Sequence, residues 1–327
     1  MTALAVLAVL AVLAALCALG LLGAAALTTR LARRAEAAIP PAGRFIEVPG
    51  ACLHVVEAGE LRDGRPPILM LHGLAGQLHH FRYSLIDTLA RDTRVVAVDR
   101  PGSGYSRRER GRATTLEDQA DAIAALMDRL GFDRALLVGH SLGGALSLAV
   151  AVRHPTRVTG LALLAPLTTM PRDPPAVFRS LQVPQLLRSL IAWTVAIPAF
   201  VSRQAALMRV VFGPEHAPRD YARRAGGLLS LRPQQFLSAA EDYAAVPRSL
   251  LTLEARYGEL AREPAAPLPV AVLYGREDRV LDYRAQGEGF VARLPHVRLE
   301  LVSGGHMLPV TQPARCAEFI RRVAGYE

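Results

Sequence analysis

Cysteine is scarce in this sequence, charge is missing from its first residues, and aromatic side chains make up only 6% of it. The three cysteines, Cys17, Cys52 and Cys316, are too few and too scattered for a disulfide framework and read as ordinary buried thiols. No CxxC or Cys/His cluster points to a metal, and nothing calls for a cofactor. The formal net charge is +9, yet the arginines behind it are dispersed and lack interleaved aromatics. That argues against nucleic-acid binding and leaves attraction to an anionic membrane surface as the more natural use of the charge. With 51% hydrophobic and 20% charged residues, the 327-residue chain is core-forming and long enough for one large α/β domain or two smaller ones. No internal repeat is visible.

From Met1 to Thr29 there is no charged side chain, and Ala, Leu and Val dominate. A helix of about 28 residues is ~42 Å long, more than the ~30 Å hydrocarbon core of a bilayer. A cleaved signal peptide wants a positive start and an apolar run of only ~7–15 residues. Thr2-Ala3-Leu4 carries no Lys or Arg, although Ala24-Ala25-Ala26 would serve as a cleavage site and keeps removal open. A buried soluble helix is the poorer alternative, since the segment has no polar face. Residues 1–29 therefore read as a transmembrane helix, and residues 30–43, ending in Pro40-Pro41-Ala42-Gly43, as a linker. Arg30, Arg33 and Arg34 follow the span directly and favour a cytoplasmic domain.

Beyond the linker, Arg44 to Val48 and Ala51 to Ala58 alternate around Pro49-Gly50 and predict a hairpin. A short, wholly apolar strand follows at residues 67–71 and further buried strands at 94–98, 135–140 and 158–164, with helical stretches between them. Thr114-Thr115-Leu116-Glu117 has capping-box spacing for the helix that runs to Leu130-Gly131. Strands apolar on both faces predict a doubly wound, mostly parallel sheet, whose ligand sites lie at the strands' carboxyl ends. Residues 167–266 carry no strand pattern, only helical stretches broken by prolines, and read as an inserted helical cap. Within it, Leu190 to Val201 is apolar nearly all round but, at about 12 residues, too short to span a bilayer. It is either cap core, the lining of an apolar substrate tunnel, or a membrane contact. Core segments 44–166 and 267–327 flank the cap.

The chemistry centres on Gly139-His140-Ser141-Leu142-Gly143, between an apolar strand and an apolar helix. This is the strand–turn–helix context in which G-x-S-x-G presents a serine on a tight turn. Such a serine needs a base and an acid that orients it. Of the nine histidines, His54 lies mid-strand, His154 ends a helix, and His216 and His296 lie beside prolines. His140 is the elbow's variable residue. His306, in Ser303-Gly304-Gly305-His306, follows a terminal strand on a loop that paired glycines free to turn inward, and is the expected base. Asp278 in Gly275-Arg276-Glu277-Asp278 is the expected acid, with Glu277, Asp282 and Asp173 as rivals. The oxyanion donors are expected at the backbone N–H groups of Leu142 and Leu74, the latter in the loop after His72-Gly73.

These motifs, together with Asp99-Arg100-Pro101-Gly102-Ser103-Gly104-Tyr105-Ser106, resemble the α/β-hydrolase superfamily from about Arg44 to the C-terminus, in the branch with a helical cap between the sixth and seventh strands. In that resemblance Asp99 shapes a structural turn and has no catalytic role. The similar epoxide hydrolases and haloalkane dehalogenases carry an aspartate nucleophile; Ser141 here argues against both activities. The resemblance implies a serine esterase or lipase acting through Ser141, His306 and Asp278. With the apolar cap and span, the expected substrate is a lipophilic ester, such as a monoacylglycerol. Carbon–carbon bond hydrolysis or cofactor-free perhydrolysis on the same triad, and a non-catalytic ligand-binding role, are the alternatives.

Overall fold

The computed structural model describes residues 3–109, 111–112, 114–261 and 267–326. Nine strands form one sheet: β1 (Arg44–Val48), β2 (Ala51–Ala58), β3 (Ile68–Leu71), β4 (Val95–Val98), β5 (Arg107–Arg108), β6 (Ala135–His140), β7 (Val158–Leu164), β8 (Val270–Gly275) and β9 (Arg298–Val302). Their order is β1-β2-β4-β3-β6-β7-β8-β9, with β5 paired to β2. The hairpin β1–β2 and the β2–β4 pair are antiparallel. Every pair from β4 through β9 is parallel. The expected doubly wound, mostly parallel α/β sheet is present, with β5 as a short addition that two residues could not announce.

Alternate residues of each strand feed opposite cores. Leu69 and Leu71 of β3 join Leu137 of β6 and the Leu116–Leu130 helix on one face. Ile68 and Met70 join Phe81, Leu85, Phe319 and Ile320 on the other. The helix starting at Leu116 is capped by Thr115, whose side chain accepts from Asp118 N at 3.1 Å. The cap thus lies one residue later than Thr114-to-Glu117 spacing predicts.

The N-terminal helix spans Ala3–Ala38 and does not stop at Thr29, where the sequence places a linker. No proline or glycine interrupts residues 30–39, so the arginines simply continue the helix. Its leucines from Leu4 to Leu22 are exposed, as is Cys17, which is therefore not a buried thiol; Cys52 and Cys316 are buried. Its last turns bury Thr28, Ala32 and Ala35. Thr28 Oγ1 donates to Thr194 O at 3.5 Å, and Arg232 reaches Glu36 at 2.8 Å, so the helix rests on the inserted segment.

That segment is helical, as expected, although its expected limit at residue 266 lies outside the described residues. Its apolar stretch belongs to a longer continuous helix, Gln185–Phe212. A π turn at Ala192–Ala196 lets the helix pass Pro198, which the sequence reading takes as a break. A second long helix, Pro233–Glu254, carries Pro247 in its interior and packs against the Leu116–Leu130 and Leu142–Arg153 helices.

Candidate active site

Ser141 directly follows β6 and precedes the Leu142–Arg153 helix. Its backbone sits at φ 55°, ψ −120°, a region that side-chain-bearing residues avoid. The turn is clamped: Ser141 N donates to Leu164 O at 3.1 Å, and Ser141 O accepts from Gly144 N at 2.8 Å and Leu167 N at 2.9 Å. The flanking glycines are sterically required. A Cβ on Gly139 would lie 2.4 Å from Gly143 O, and one on Gly143 would lie 1.9 Å from Leu71 O. Both obstacles are backbone atoms with nowhere to move.

His306 and Asp278 come together as the sequence expects. His306 Nδ1 and Asp278 Oδ2 are 2.7 Å apart, with the aspartate side chain fully buried. Asp278 Oδ1 accepts from Val280 N at 2.7 Å and Leu281 N at 3.0 Å, which fixes the carboxylate. The rivals point elsewhere. Glu277 accepts from Gly304 N at 2.6 Å, Asp282 accepts from Arg284 N at 3.1 Å, and Asp173 is exposed. His140 ties the elbow to the His306 loop: its Nε2 bonds His306 O at 3.0 Å, and the two rings stand 4.8 Å apart. Ser141 Oγ makes no hydrogen bond among the described residues, so the expected Ser141–His306 bond is not formed. Such contacts often close only with substrate in place.

The loop after β3 lies over the elbow. A Cβ on Gly73 would lie 2.9 Å from Ser141 Cβ and 3.3 Å from its Oγ. Leu74 follows, with its N–H unpaired among the described residues; its side chain packs on the Leu181, Ala239 and Ala240 cluster of the cap. Leu142 opens a helix, so its N–H has no carbonyl of a preceding turn to bond. Burial holds His72 and His140 well below the ordinary histidine range, with neighbouring Arg100 and His306 respectively adding to the effect. Burial, reinforced by His79, brings His80 down to about 4. Burial thus favours the neutral form of the His80 and His140 rings beside His306.

Sequence reasoning missed the residues that hold this loop. Arg100, fully buried, donates to His72 O at 2.9 Å, Gly73 O at 3.1 Å, Gln119 Oε1 at 2.9 Å and Asp242 Oδ2 at 2.8 Å. Asp242 and Gln235 lie on the cap, and Gln235 Nε2 donates to Gly76 O at 2.8 Å. Glu215, also from the cap segment, accepts from Gly305 N at 2.8 Å beside the base. Asp99 is structural: it bonds His54 at 2.7 Å, Leu78 N at 2.7 Å and Tyr105 N at 2.9 Å, a buried knot that orders the turn after β4.

Residues 66–313 match the model of a protein family described as alpha/beta hydrolase fold. The chain belongs to that family. Among curated proteins, the chain is 38% identical over 131 residues to the dihydrolipoyllysine-residue acetyltransferase component of the acetoin cleaving system of Pseudomonas putida, covering 40% of this chain and 34% of that one. The chain thus spans about a third of the length of that first relative. It is 28% identical over 290 residues to haloalkane dehalogenase 2 of Mycobacterium tuberculosis, covering 86% of this chain and 94% of that one. Among solved structures it resembles the enol-lactonase from Burkholderia xenovorans LB400, with TM-score 0.67 at 22% identity, covering 86% of this chain and 99% of that chain. That likeness concerns the fold.

Proposed function

We propose that the chain is a membrane-anchored serine hydrolase that cleaves a lipophilic carboxylic ester through Ser141, His306 and Asp278. The observation that carries this is the strained Ser141 turn, flanked by the His306–Asp278 pair at 2.7 Å and by two unpaired N–H groups. Ser141 Oγ attacks the carbonyl carbon as His306 Nε2 takes its proton. Asp278 holds the imidazole in the tautomer that leaves Nε2 free and stabilises the imidazolium that forms. Leu74 N–H and Leu142 N–H receive the oxyanion; one such donor is typically worth about 2.7–4 kcal/mol in the transition state. His306 then protonates the leaving alcohol, and water attacks the acyl-enzyme by the reverse route. No cofactor or metal has a role in this scheme.

An apolar cap supports the preference for a lipophilic acyl or alcohol group: Leu74, Phe178, Phe236 and Tyr243 all pack against the buried Leu181, Ala239 and Ala240. The Ala3–Ala38 helix supports anchoring, and the exposed Arg30, Arg33 and Arg34 that follow its apolar run favour a cytoplasmic catalytic domain. In this reading residues 44–166 and 267–327 form the hydrolase core and 167–266 the cap. The aspartate nucleophile of dehalogenase-like relatives is absent, since Ser141 occupies the elbow. A panel of p-nitrophenyl and glyceryl esters of increasing chain length, run beside a dienone acid and a peracid assay, tests the reaction class. The reading expects ester turnover that rises from short to medium or long chains. Turnover confined to the dienone acid or the peracid reaction overturns it.

A further inference from the structure

We propose that the Gln185–Phe212 cap helix lies on the surface of the same bilayer that the N-terminal helix enters, docking the cap on anionic lipid. This inference rests on the anchored reading above. The helix leaves Leu186, Leu187, Leu190 and Trp193 exposed, Leu186 at 95% and Trp193 at 45%. Spacings of three and four residues put Leu186, Leu190 and Trp193 on one face. The rest of the helix is held elsewhere: Ala192, Thr194, Ile197 and Phe212 are buried against the protein, the π turn at Ala192–Ala196 shifting the register between Leu190 and Ile197. A helix so held cannot be surrounded by lipid, so its length does not make it a second span; it has the form of an interfacial helix.

Two observations identify the bilayer as what covers the exposed face. The first is position. Residues 3–27 of the N-terminal helix form an apolar run about 37 Å long, against a ~30 Å hydrocarbon core. Thr28, the next residue, touches Thr194 in the middle of the cap helix. The cap helix therefore sits where the anchor leaves the membrane, and Trp193 falls at the depth that tryptophan favours. The second is charge. Between Asp173 and Glu215 the chain has no acidic residue but carries Arg179, Arg188, Arg203 and Arg209, and no acidic residue precedes Glu36 on the anchor. Two copies of such a face would set arginines against arginines, whereas an anionic lipid surface complements them.

The chain has a single tryptophan, so Trp193 reports on this face without labelling. The full-length protein is reconstituted in vesicles of phosphatidylcholine and phosphatidylglycerol, with and without bromine on the acyl chains, and Trp193 emission is also titrated with aqueous iodide. Docking predicts quenching by brominated chains of about twofold or more, with little response to iodide. L186E/L190E is expected to reverse that pattern while the protein stays in the carbonate-washed pellet and keeps its rate on a water-soluble ester. A protein retained in the pellet whose Trp193 answers to iodide and not to bromine overturns docking and leaves the anchor standing. Shielding from both quenchers, with a dimer by mass photometry, assigns the face to a second copy and overturns it equally. Release of the wild type by carbonate overturns the anchor and docking together.

Discussion

Arg100 offers the sharpest test of how the site is held. Its guanidinium is fully buried and makes four side-chain hydrogen bonds, two of them to His72 O and Gly73 O, the carbonyls just before the Leu74 N–H. Its charge is matched by Asp242, whose side chain is 1% exposed, on the cap helix Pro233–Glu254. Arg100→Met keeps much of the volume and leaves Asp242 with Arg108, 2.9 Å away, as its charged partner. Losing one of two arginines on a buried carboxylate should cost less than the roughly 3–5 kcal/mol of an uncompensated buried charge. At about 2–4 °C per kcal/mol for a domain of this size, a loss of about 3 kcal/mol or less lowers Tm by up to roughly 12 °C. The β3 loop also loses its tether, so kcat should drop about tenfold to a hundredfold, less than deletion of an oxyanion donor, with KM nearly unchanged. Arg100→Met/Asp242→Leu should recover part of the stability but none of the kcat, because the apolar pair repacks while the loop stays untethered. Differential scanning fluorimetry and ester kinetics on the wild type, Arg100→Met, Asp242→Leu and the double variant read both effects. Additive stability losses, with no coupling between Arg100 and Asp242, would refute the buried-pair account; an unchanged kcat would refute the positioning role.

Other outcomes follow from the same geometry. Asp278→Asn should leave Tm within a few degrees and lower ester turnover by about four orders of magnitude, because the amide favours the wrong histidine tautomer; a near-wild-type rate would move the acid to Glu277 or Asp282. Gly143→Ala drives a Cβ to 1.9 Å from Leu71 O, so the elbow must shift. A loss of at least about 1–3 kcal/mol is expected by denaturant titration, and a wild-type midpoint would show the turn to be looser than described. Acid should weaken the fold in a defined window. His79 and His80 are each held at about 4 by burial, below the ordinary 6.5, so the unfolded chain binds more protons between those values. Stability is then fully present above pH ~6.5 and falls as pH drops toward 4, by up to about 3 kcal/mol per group. His80→Gln should flatten that slope, and an unaltered Tm profile would contradict it.

What the sequence made legible was local. Ser141, Asp278 and His306 each follow the carboxyl end of an apolar strand within a few residues, so strand pattern and motif together located them. The two glycines of the elbow announced a close backbone approach that the distances to Gly143 O and Leu71 O bear out. The missing parts depend on contacts between distant residues. Arg100 and Asp242 are 142 positions apart, and Glu215 meets Gly305 across 90. No periodicity links such pairs, and an arginine in a glycine-rich turn ordinarily points to solvent. The helix ends failed for a different reason. Residues 30–39 are acceptable helix formers, so the helix runs on to Ala38, where Pro40-Pro41 stop it. At Pro198 a π turn absorbed the break that proline predicts.

The central claim is that Ser141 is the nucleophile. Reconstituted wild-type protein and Ser141→Ala are treated with a fluorophosphonate, and the adduct is located by peptide mass spectrometry. The account predicts one phosphonyl group on Ser141 in the wild type, with matched loss of ester turnover, and no labelling of the folded variant. Labelling that persists in Ser141→Ala, or an adduct on another residue with turnover intact, would contradict it.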